Sequence, residues 1–204
     1  MKKILLSITF LLISGSAFAQ FGELLSAGAS LFGGGASLQT ITNDYITGSK
    51  QVSSAQLKLL SAAKYKTRSD LATSAINNLT TGATAEQVEE ANKIITEESK
   101  KVQEIYSNAQ LKLDANGKKQ FAAGFSDFAI GLLAYGKLAL SVKGYRPGLS
   151  DLSAAATAIA IAKNVPDDMG NLKTTFSAIY DYAKSNNIEP PKDAAEVTKL
   201  LENF

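Results

Sequence analysis

The sequence predicts an all-α protein, with a single helical domain of about six helices in a bundle-like array, preceded by a Gly-rich amphipathic arm. The first observation is that apolar residues recur at three- and four-residue steps through most of the chain beyond residue 50, which is the spacing of one helix face. The second is that no segment alternates between apolar and polar residues for long enough to predict a strand. The third is composition: 204 residues, 45% hydrophobic and 20% charged, are typical of one globular domain.

The N-terminus carries the three parts of a secretory signal peptide. Lys2 and Lys3 precede an apolar run over 4–13, and Ala17-Phe18-Ala19 supplies the small residues of a cleavage site. The run is shorter than the ~20 apolar residues that cross a membrane, so it does not predict a permanent anchor. We therefore expect residues 1–19 to be removed after Ala19, leaving a mature chain without a transmembrane span in the periplasm or outside the cell.

Residues 20–49 are predicted to form a Gly/Ser-rich N-terminal arm and joint. Apolar side chains over 21–32 give the arm an amphipathic character, and Gly33, Gly34 and Gly35 follow in succession. Each glycine disfavours a helix by about 1 kcal/mol relative to alanine, so a helical pattern should be interrupted there. Such an arm could dock on a membrane or a partner, or it could be a terminus that packs weakly on its own domain.

Residues 50–204 form the predicted helical domain, and its first half contains two helical patterns. The first has an apolar stripe that includes Val52 and Leu59, and it ends in a polar turn over 77–82. Thr84 and Gln87 then have the spacing of a capping box, in which two backbone N–H groups at a helix start are satisfied reciprocally. The helix that follows carries one apolar stripe, formed by Val88, Ala91, Ile95, Val102, Ile105 and Ala109.

The most apolar helix is predicted from about Lys118 to Val142, after a turn at Asn116-Gly117. Its stripe advances by four and three residues and is largely aromatic, consisting of Phe121, Phe125, Phe128, Leu132, Tyr135 and Ala139. We expect this stripe to be the centre of the core, because it is the largest concentration of apolar side chains in the mature chain. Small residues elsewhere on the helix allow close helix approach, or leave room for an apolar ligand.

The last third of the chain should contain three shorter helices. A loop over 143–148 precedes a helix over 150–163, and Pro166 with Asp167 and Asp168 is predicted to end that helix and cap the next. The capped helix carries Leu172, Phe176, Ile179 and Ala183, and a terminal helix carries Val197, Leu200, Leu201 and Phe204.

Several residue types are missing, and their absence excludes whole kinds of site. The chain has no histidine and no cysteine, so imidazole bases, thiolate nucleophiles and the usual zinc or haem ligands are absent. We therefore predict no cofactor and no metal. Loss of Lys2 and Lys3 with the signal peptide leaves 19 of the 21 basic residues, against 19 acidic ones. This balance predicts no nucleic-acid partner, because phosphate binding needs clustered positive charge.

Three short patterns that could belong to an enzyme or a calcium site are poorly supported. Ser61 and Lys64 have the S-x-x-K spacing of penicillin-recognising enzymes, but the partner motif K-T-G is absent. The segment 114–117 resembles the middle of a calcium loop, whose first and twelfth positions would be Lys112 and Ala123, neither of which binds calcium. Asp127 could act as a catalytic acid only in an apolar cleft that raises its pKa. It lies off the aromatic stripe, so we expect it to be exposed instead. The sequence therefore predicts a protein that is not an enzyme.

Two functions remain as hypotheses. The first is an exported, non-enzymatic helical protein that acts through a protein- or envelope-binding surface, with Tyr145 and Arg146 as a candidate partner-contact loop. The alternative is a carrier of an apolar, lipid-like ligand held between helices 118–142 and 150–163. The candidate ligand face consists of Phe121, Phe125, Phe128, Leu132 and Ile159.

Overall fold

The computed structural model of the chain describes residues 38–65, 69–143 and 152–204, all within one compact unit, Ala36–Phe204. These residues form six helices and no strand, and the predicted all-α, bundle-like fold is confirmed. In chain order the helices are α1 Leu38–Ala62, α2 Ser69–Asn77, α3 Ala85–Tyr106, α4 Ala115–Lys143, α5 Leu152–Ser185 and α6 Ala194–Leu201. The predicted signal peptide and the Gly-rich part of the arm lie outside the described residues.

Helix α1 packs antiparallel along α4 at very short range. Gly131 of α4 lies against Val52 of α1, and Gly117 lies against Ala62 at the other end of the contact. A Cβ atom at Gly131 would be 3.0 Å from the Val52 nitrogen, and one at Gly117 would be 2.8 Å from the Ala62 carbonyl oxygen. The glycines of α4 therefore serve close helix approach, which is one of the two roles that the sequence predicts for its small residues.

Helix α3 runs in the same direction as α1. Tyr45, near the start of α1, contacts Asn92 in the first half of α3. Tyr106, at the end of α3, donates a hydrogen bond to the Leu59 carbonyl near the end of α1. Two parallel neighbours require a connection that returns along the bundle, and α2 lies within that connection and contacts both helices.

Helix α5 packs on both α3 and α4 and completes a four-helix array, while α6 packs on α4. Phe121, near the start of α4, packs against Tyr182 near the end of α5, whereas Tyr135 later in α4 reaches Asp168 earlier in α5. The two helices are therefore antiparallel. The end of α4 and the start of α5 consequently lie at the same end of the bundle as the start of α1.

The core is aromatic at the opposite end of the bundle. Phe121 and Phe125 of α4 meet Tyr106 of α3 and Phe176 and Tyr182 of α5, with neighbouring ring centroids 4.9–5.9 Å apart. Tilted and edge-to-face pairs at such distances add to the stabilisation from burial. The prediction that the aromatic stripe of α4 lies in the core is confirmed, since its Phe and Leu side chains are fully buried.

The predicted start of α3 is also confirmed in detail. The Thr84 N–H donates to Gln87 Oε1 at 2.9 Å, and the Gln87 N–H donates to Thr84 Oγ1 at 3.4 Å. This reciprocal pair is a complete capping box.

The predicted helix end at Pro166 is wrong. Helix α5 is continuous from Leu152 to Ser185 with Pro166 inside it. Proline removes one backbone hydrogen bond of the helix, but Val165 and Met169 on either side are both buried in the core. Tertiary packing of these side chains outweighs the local penalty, because most helix stability in proteins comes from packing.

The start of the helical domain also differs from the sequence prediction. Helix α1 begins at Leu38, so part of the segment 20–49 that was assigned to the arm and joint belongs to the helical domain. Ile41 and Tyr45 are fully buried and continue the apolar stripe upstream of Val52. The sequence pattern is weak here because, apart from Ile46, only small and polar residues lie between Tyr45 and Val52.

One of the described helices, α4 over Ala115–Val142, is long and apolar enough to cross a membrane by length and composition alone. The same helix supplies the aromatic stripe of the core, and a buried core helix needs that composition.

Candidate functional site

Five polar side chains lie inside the four-helix array, in the half of the bundle nearer the start of α1. We call them the buried polar row: Tyr45 and Ser49 on α1, Asn92 on α3, Tyr135 on α4 and Asp168 on α5. Buried polar groups cost free energy unless they are satisfied by hydrogen bonds. A set that joins all four helices of the array is therefore the candidate site of this protein.

Tyr45 connects α1 to α3 through its hydroxyl group. The hydroxyl donates to Asn92 Oδ1 at 2.5 Å and also lies 3.2 Å from the Val88 carbonyl oxygen. The Tyr45 ring packs edge-on against the Tyr135 ring, with the centroids 6.1 Å apart. Tyr45 therefore joins α1 to α3 by a hydrogen bond and to α4 by an aromatic contact.

Tyr135 connects α1 to α5. Its hydroxyl lies 3.3 Å from Ser49 Oγ and 3.4 Å from Asp168 Oδ2, to which it donates. Gly48 makes room for the Tyr135 ring, because a Cβ atom at that position would be 2.9 Å from the ring atom Cδ2. Successive residues of α1 thus provide the space for this tyrosine and a polar partner for its hydroxyl.

Asp168 is the buried carboxyl group of the row, with only 4% of its surface exposed. Burial raises the pKa of Asp168 to about 7, while the hydrogen bond from Tyr135 lowers that pKa and the neighbouring charge of Asp167 raises it. None of the ion pairs among the described residues involves Asp168. Burial therefore favours the protonated form of this carboxyl group.

The two tyrosines of the row remain neutral hydroxyl groups. Burial is the main cause that raises the pKa of Tyr45 and the pKa of Tyr135 well above the usual tyrosine value. The row therefore offers hydroxyl, amide and carboxyl groups for hydrogen bonding and proton exchange, and it contains no activated nucleophile of the kind used in covalent catalysis.

The α1–α3 interface beside the row contains two polar atoms without a hydrogen-bond partner. They are Asn92 Nδ2 and Gln56 Oε1, both on buried side chains. The other amide atom of Gln56, Nε2, donates to the Ile95 carbonyl and to Ser99 Oγ. An unsatisfied buried atom costs about 1–3 kcal/mol, so this interface is not arranged for maximum stability.

The residues that the sequence suggested as a ligand face do not all lie together. Phe121, Phe125, Phe128 and Leu132 are fully buried on α4. Ile159 on α5 is 54% exposed and lies at the surface. The candidate partner-contact loop with Tyr145 and Arg146 falls in the segment 144–151, outside the described residues.

The side chains considered for catalysis lie at the surface or in ion pairs. Ser61 is exposed, and Lys64 forms an ion pair with Asp114 at 2.8 Å. Asp127, which we expected to be exposed, is mostly buried and paired with Lys58 of α1. Within the described ranges no group of three His, Cys, Asp or Glu side chains is placed to hold a metal ion.

The sequence reasoning missed every member of the buried polar row as a functional residue. The sequence predicts Asp168 at a helix cap, because Pro166 precedes it. It also predicts that Tyr45 and Ser49 belong to the N-terminal arm. The available signal was a tyrosine on each of two apolar stripes, since Tyr135 continues the α4 stripe and Tyr45 lies four residues after Ile41. A buried tyrosine hydroxyl needs a partner, so two such residues predict a polar group between them.

Comparisons with protein-family models, with curated proteins and with solved structures find no match to this chain.

Proposed function

We propose that this chain is an exported, non-enzymatic helical protein that acts by binding a protein partner in the cell envelope. The N-terminal residues have the pattern of a cleaved signal peptide, which supports export. The residue types support a binding role, because histidine and cysteine are absent, Ser61 is exposed, and Lys64 and Asp127 are in ion pairs.

The observation that carries the proposal is a pair of exposed apolar side chains at one end of the bundle. Leu140, in the last turns of α4, is 39% exposed, and Ile159 of α5 is 54% exposed. Because α4 and α5 are antiparallel and consecutive, these residues flank the connection 144–151, which includes Tyr145 and Arg146. We call the exposed side chains of Leu140 and Ile159 the hairpin-end surface.

Tyrosine and arginine are enriched at the centres of protein interfaces, and the sequence between Leu140 and Ile159 contains both, at Tyr145 and Arg146. Two single exposed apolar residues would need no explanation, but their closeness in sequence to Tyr145 and Arg146 makes the hairpin-end surface the best-supported binding surface. The interior gives less support to the carrier alternative, since the aromatic face of α4 is already packed by Tyr106, Phe176 and Tyr182.

Site-specific photo-crosslinking in cells that express the full chain tests the proposal. A photoreactive amino acid is placed at Ile159 and, as a matched control, at Ser177, which is also exposed on α5. We expect a discrete crosslinked product from position 159 that is absent from position 177. The product should also be lost when Leu140→Glu is added.

If crosslinking from position 159 survives Leu140→Glu, the partner does not bind through Leu140, and the hairpin-end surface as defined is wrong. Equal, weak crosslinking at both positions would contradict a binding role for the hairpin-end surface. Native mass spectrometry of the same purified protein provides the separate readout for the carrier, because a stoichiometric lipid adduct would favour that alternative.

A further inference from the structure

The buried polar row contains a carboxyl group, Asp168, that has no lysine or arginine partner among the residues that the structure describes. Asp168 projects from α5 into a region where its hydrogen-bonding neighbour is the Tyr135 hydroxyl of α4, with Ser49 of α1 next along the row. A buried ionised carboxylate is stable only when it is paired or well hydrogen-bonded, and otherwise it takes up a proton. A single hydrogen bond at 3.4 Å is weak support for a full negative charge.

We propose that Asp168 binds a proton in the folded chain, and that loss of this proton loosens α5 from the α1–α4 pair. In the protonated form the carboxyl group is neutral, and its O–H can donate a hydrogen bond within the row. In the ionised form it can only accept, and an uncompensated charge then lies among four packed helices. The bundle is thereby a proton-responsive switch with one titrating group.

The groups that face Asp168 are consistent with a response of this sign. Tyr135 on α4 donates a hydrogen bond to the carboxylate, Tyr45 on α1 lies beside Tyr135, and Asp167 on α5 itself adds a like charge. Helix α3 contributes the neutral amide of Asn92 to the buried polar row. Among the described residues these groups include no lysine or arginine that would compensate the ionised form.

The break in the helix hydrogen bonds at Pro166 indicates where the response would occur. Proline has no N–H, so α5 lacks one backbone hydrogen bond just before Asp168. The helix is therefore held there by side-chain packing. The buried charge of ionised Asp168 lies in this same segment, where one backbone hydrogen bond is missing. We expect the opening to be concentrated in residues 162–172 of α5.

The direction of the pH dependence follows from linkage. Asp168 has a higher pKa in the folded chain than the ~3.9 of an unfolded aspartate, so the folded chain binds more protons between these two values. Its contribution to stability is therefore greatest at low pH and is lost as the pH rises towards the folded-state pKa. Above that pKa both states are ionised, and the dependence on this group ends.

Equilibrium urea denaturation of the purified full chain and of Asp168→Asn between pH 5 and pH 8 tests the proposal. Asparagine has the shape of the neutral carboxyl group and does not titrate. We expect the unfolding constant of the unmodified chain, divided by that of Asp168→Asn, to rise about tenfold per pH unit up to neutral pH and then level off. Asp167→Asn, an exposed neighbour, should leave the slope almost unchanged.

Hydrogen exchange at pH 8 tests the structural part of the proposal. Comparison of the two proteins at one pH removes the intrinsic pH dependence of exchange. Amides of residues 162–172 should exchange faster in the unmodified chain than in Asp168→Asn, while amides of α3 should differ little. Equal protection throughout α5 would overturn the proposed loosening, and a pH-independent ratio of unfolding constants would overturn the proton uptake.

A carbon NMR titration of the Asp168 side chain keeps the proposal testable if Asp168→Asn does not fold. The resonance of the unmodified chain should titrate near neutral pH, and in Tyr135→Phe its midpoint should move upward, because the hydroxyl that stabilises the carboxylate is removed. A midpoint near the usual aspartate value would refute the proposal.

Discussion

The close approach of α1 and α4 predicts opposite outcomes for the same substitution at two glycines. In Gly131→Ala the new Cβ would lie 2.9 Å from Val52 Cγ2, 3.0 Å from the Val52 nitrogen and 3.3 Å from the Gln51 carbonyl carbon. In Gly170→Ala, on the exposed face of α5, the new Cβ would meet nothing within 4 Å. Both residues lie inside long helices, so both substitutions gain the same helix propensity.

The two substitutions separate helix propensity from steric clash. Both gain the same helix propensity, but only Gly131→Ala introduces a clash. Glycine to alanine in a helix interior stabilises by about 1 kcal/mol. Overpacking costs about 1–3 kcal/mol when backbone atoms must move, and two of the three close atoms at Gly131 belong to the α1 backbone. We therefore expect Gly170→Ala to be about 1 kcal/mol more stable than the parent chain, and Gly131→Ala to be about 1–3 kcal/mol less stable than Gly170→Ala.

Urea denaturation followed by far-ultraviolet circular dichroism measures both variants under one condition. Equal slopes against urea would show that the two variants expose the same surface on unfolding, so that the midpoints report stability. If Gly131→Ala were stabilised as much as Gly170→Ala, the α1–α4 contact would be looser than the structure indicates.

Three further predictions have direct measurements. Phe125→Ala should lower the free energy of unfolding by about 3–5 kcal/mol, whereas Lys119→Ala on the exposed face should change it little; near-native stability for Phe125→Ala would contradict its place in the core. Thr84→Ala should cost about 0.5–2 kcal/mol by removing the capping box of α3, and an unchanged denaturation midpoint would show that the box contributes nothing. N-terminal sequencing of the exported protein should begin at Gln20, and a sequence beginning at Met1 would refute cleavage after Ala19.

The parts of the fold that could be predicted from sequence are those in which one helix face is strongly apolar. The aromatic stripe of α4 and the capping box of α3 are local patterns, because their residues lie three or four positions apart and need no knowledge of the partner helices. The positions of Phe121 and Phe125 in the core followed from this spacing alone. The same reasoning could not identify which helices these side chains meet, since that depends on topology.

The candidate site could not be predicted because its members come from four helices and carry conflicting local signals. Asp168 follows a proline and an aspartate, which is a pattern typical of a helix start. Pro166 is instead accommodated inside α5 by the burial of Val165 and Met169, and Asp168 is thereby directed into the core. Only the long-range packing decides between these outcomes, and no short window of sequence contains it.

Several departures from local rules in this protein lie in the half of the bundle nearer the start of α1. Among the described residues, a proline inside a helix, a carboxyl group without a lysine or arginine partner and an unpaired amide nitrogen on Asn92 belong to the same two or three turns of α3 and α5. At the opposite end the core consists of aromatic pairs among Phe121, Tyr106 and Tyr182. Sequences tend to depart from such rules where function requires it.

The same end of the bundle also holds Leu140 and Ile159, because α4 ends and α5 begins there. A change in the packing of α5 around Asp168 would therefore be transmitted along one continuous helix to Ile159, less than three turns away. If both proposals are correct, crosslinking from position 159 should depend on pH in the unmodified chain and become independent of pH in Asp168→Asn. If crosslinking still depends on pH in Asp168→Asn, the hairpin-end surface responds to some other titrating group. Asp168 and the hairpin-end surface are then not coupled.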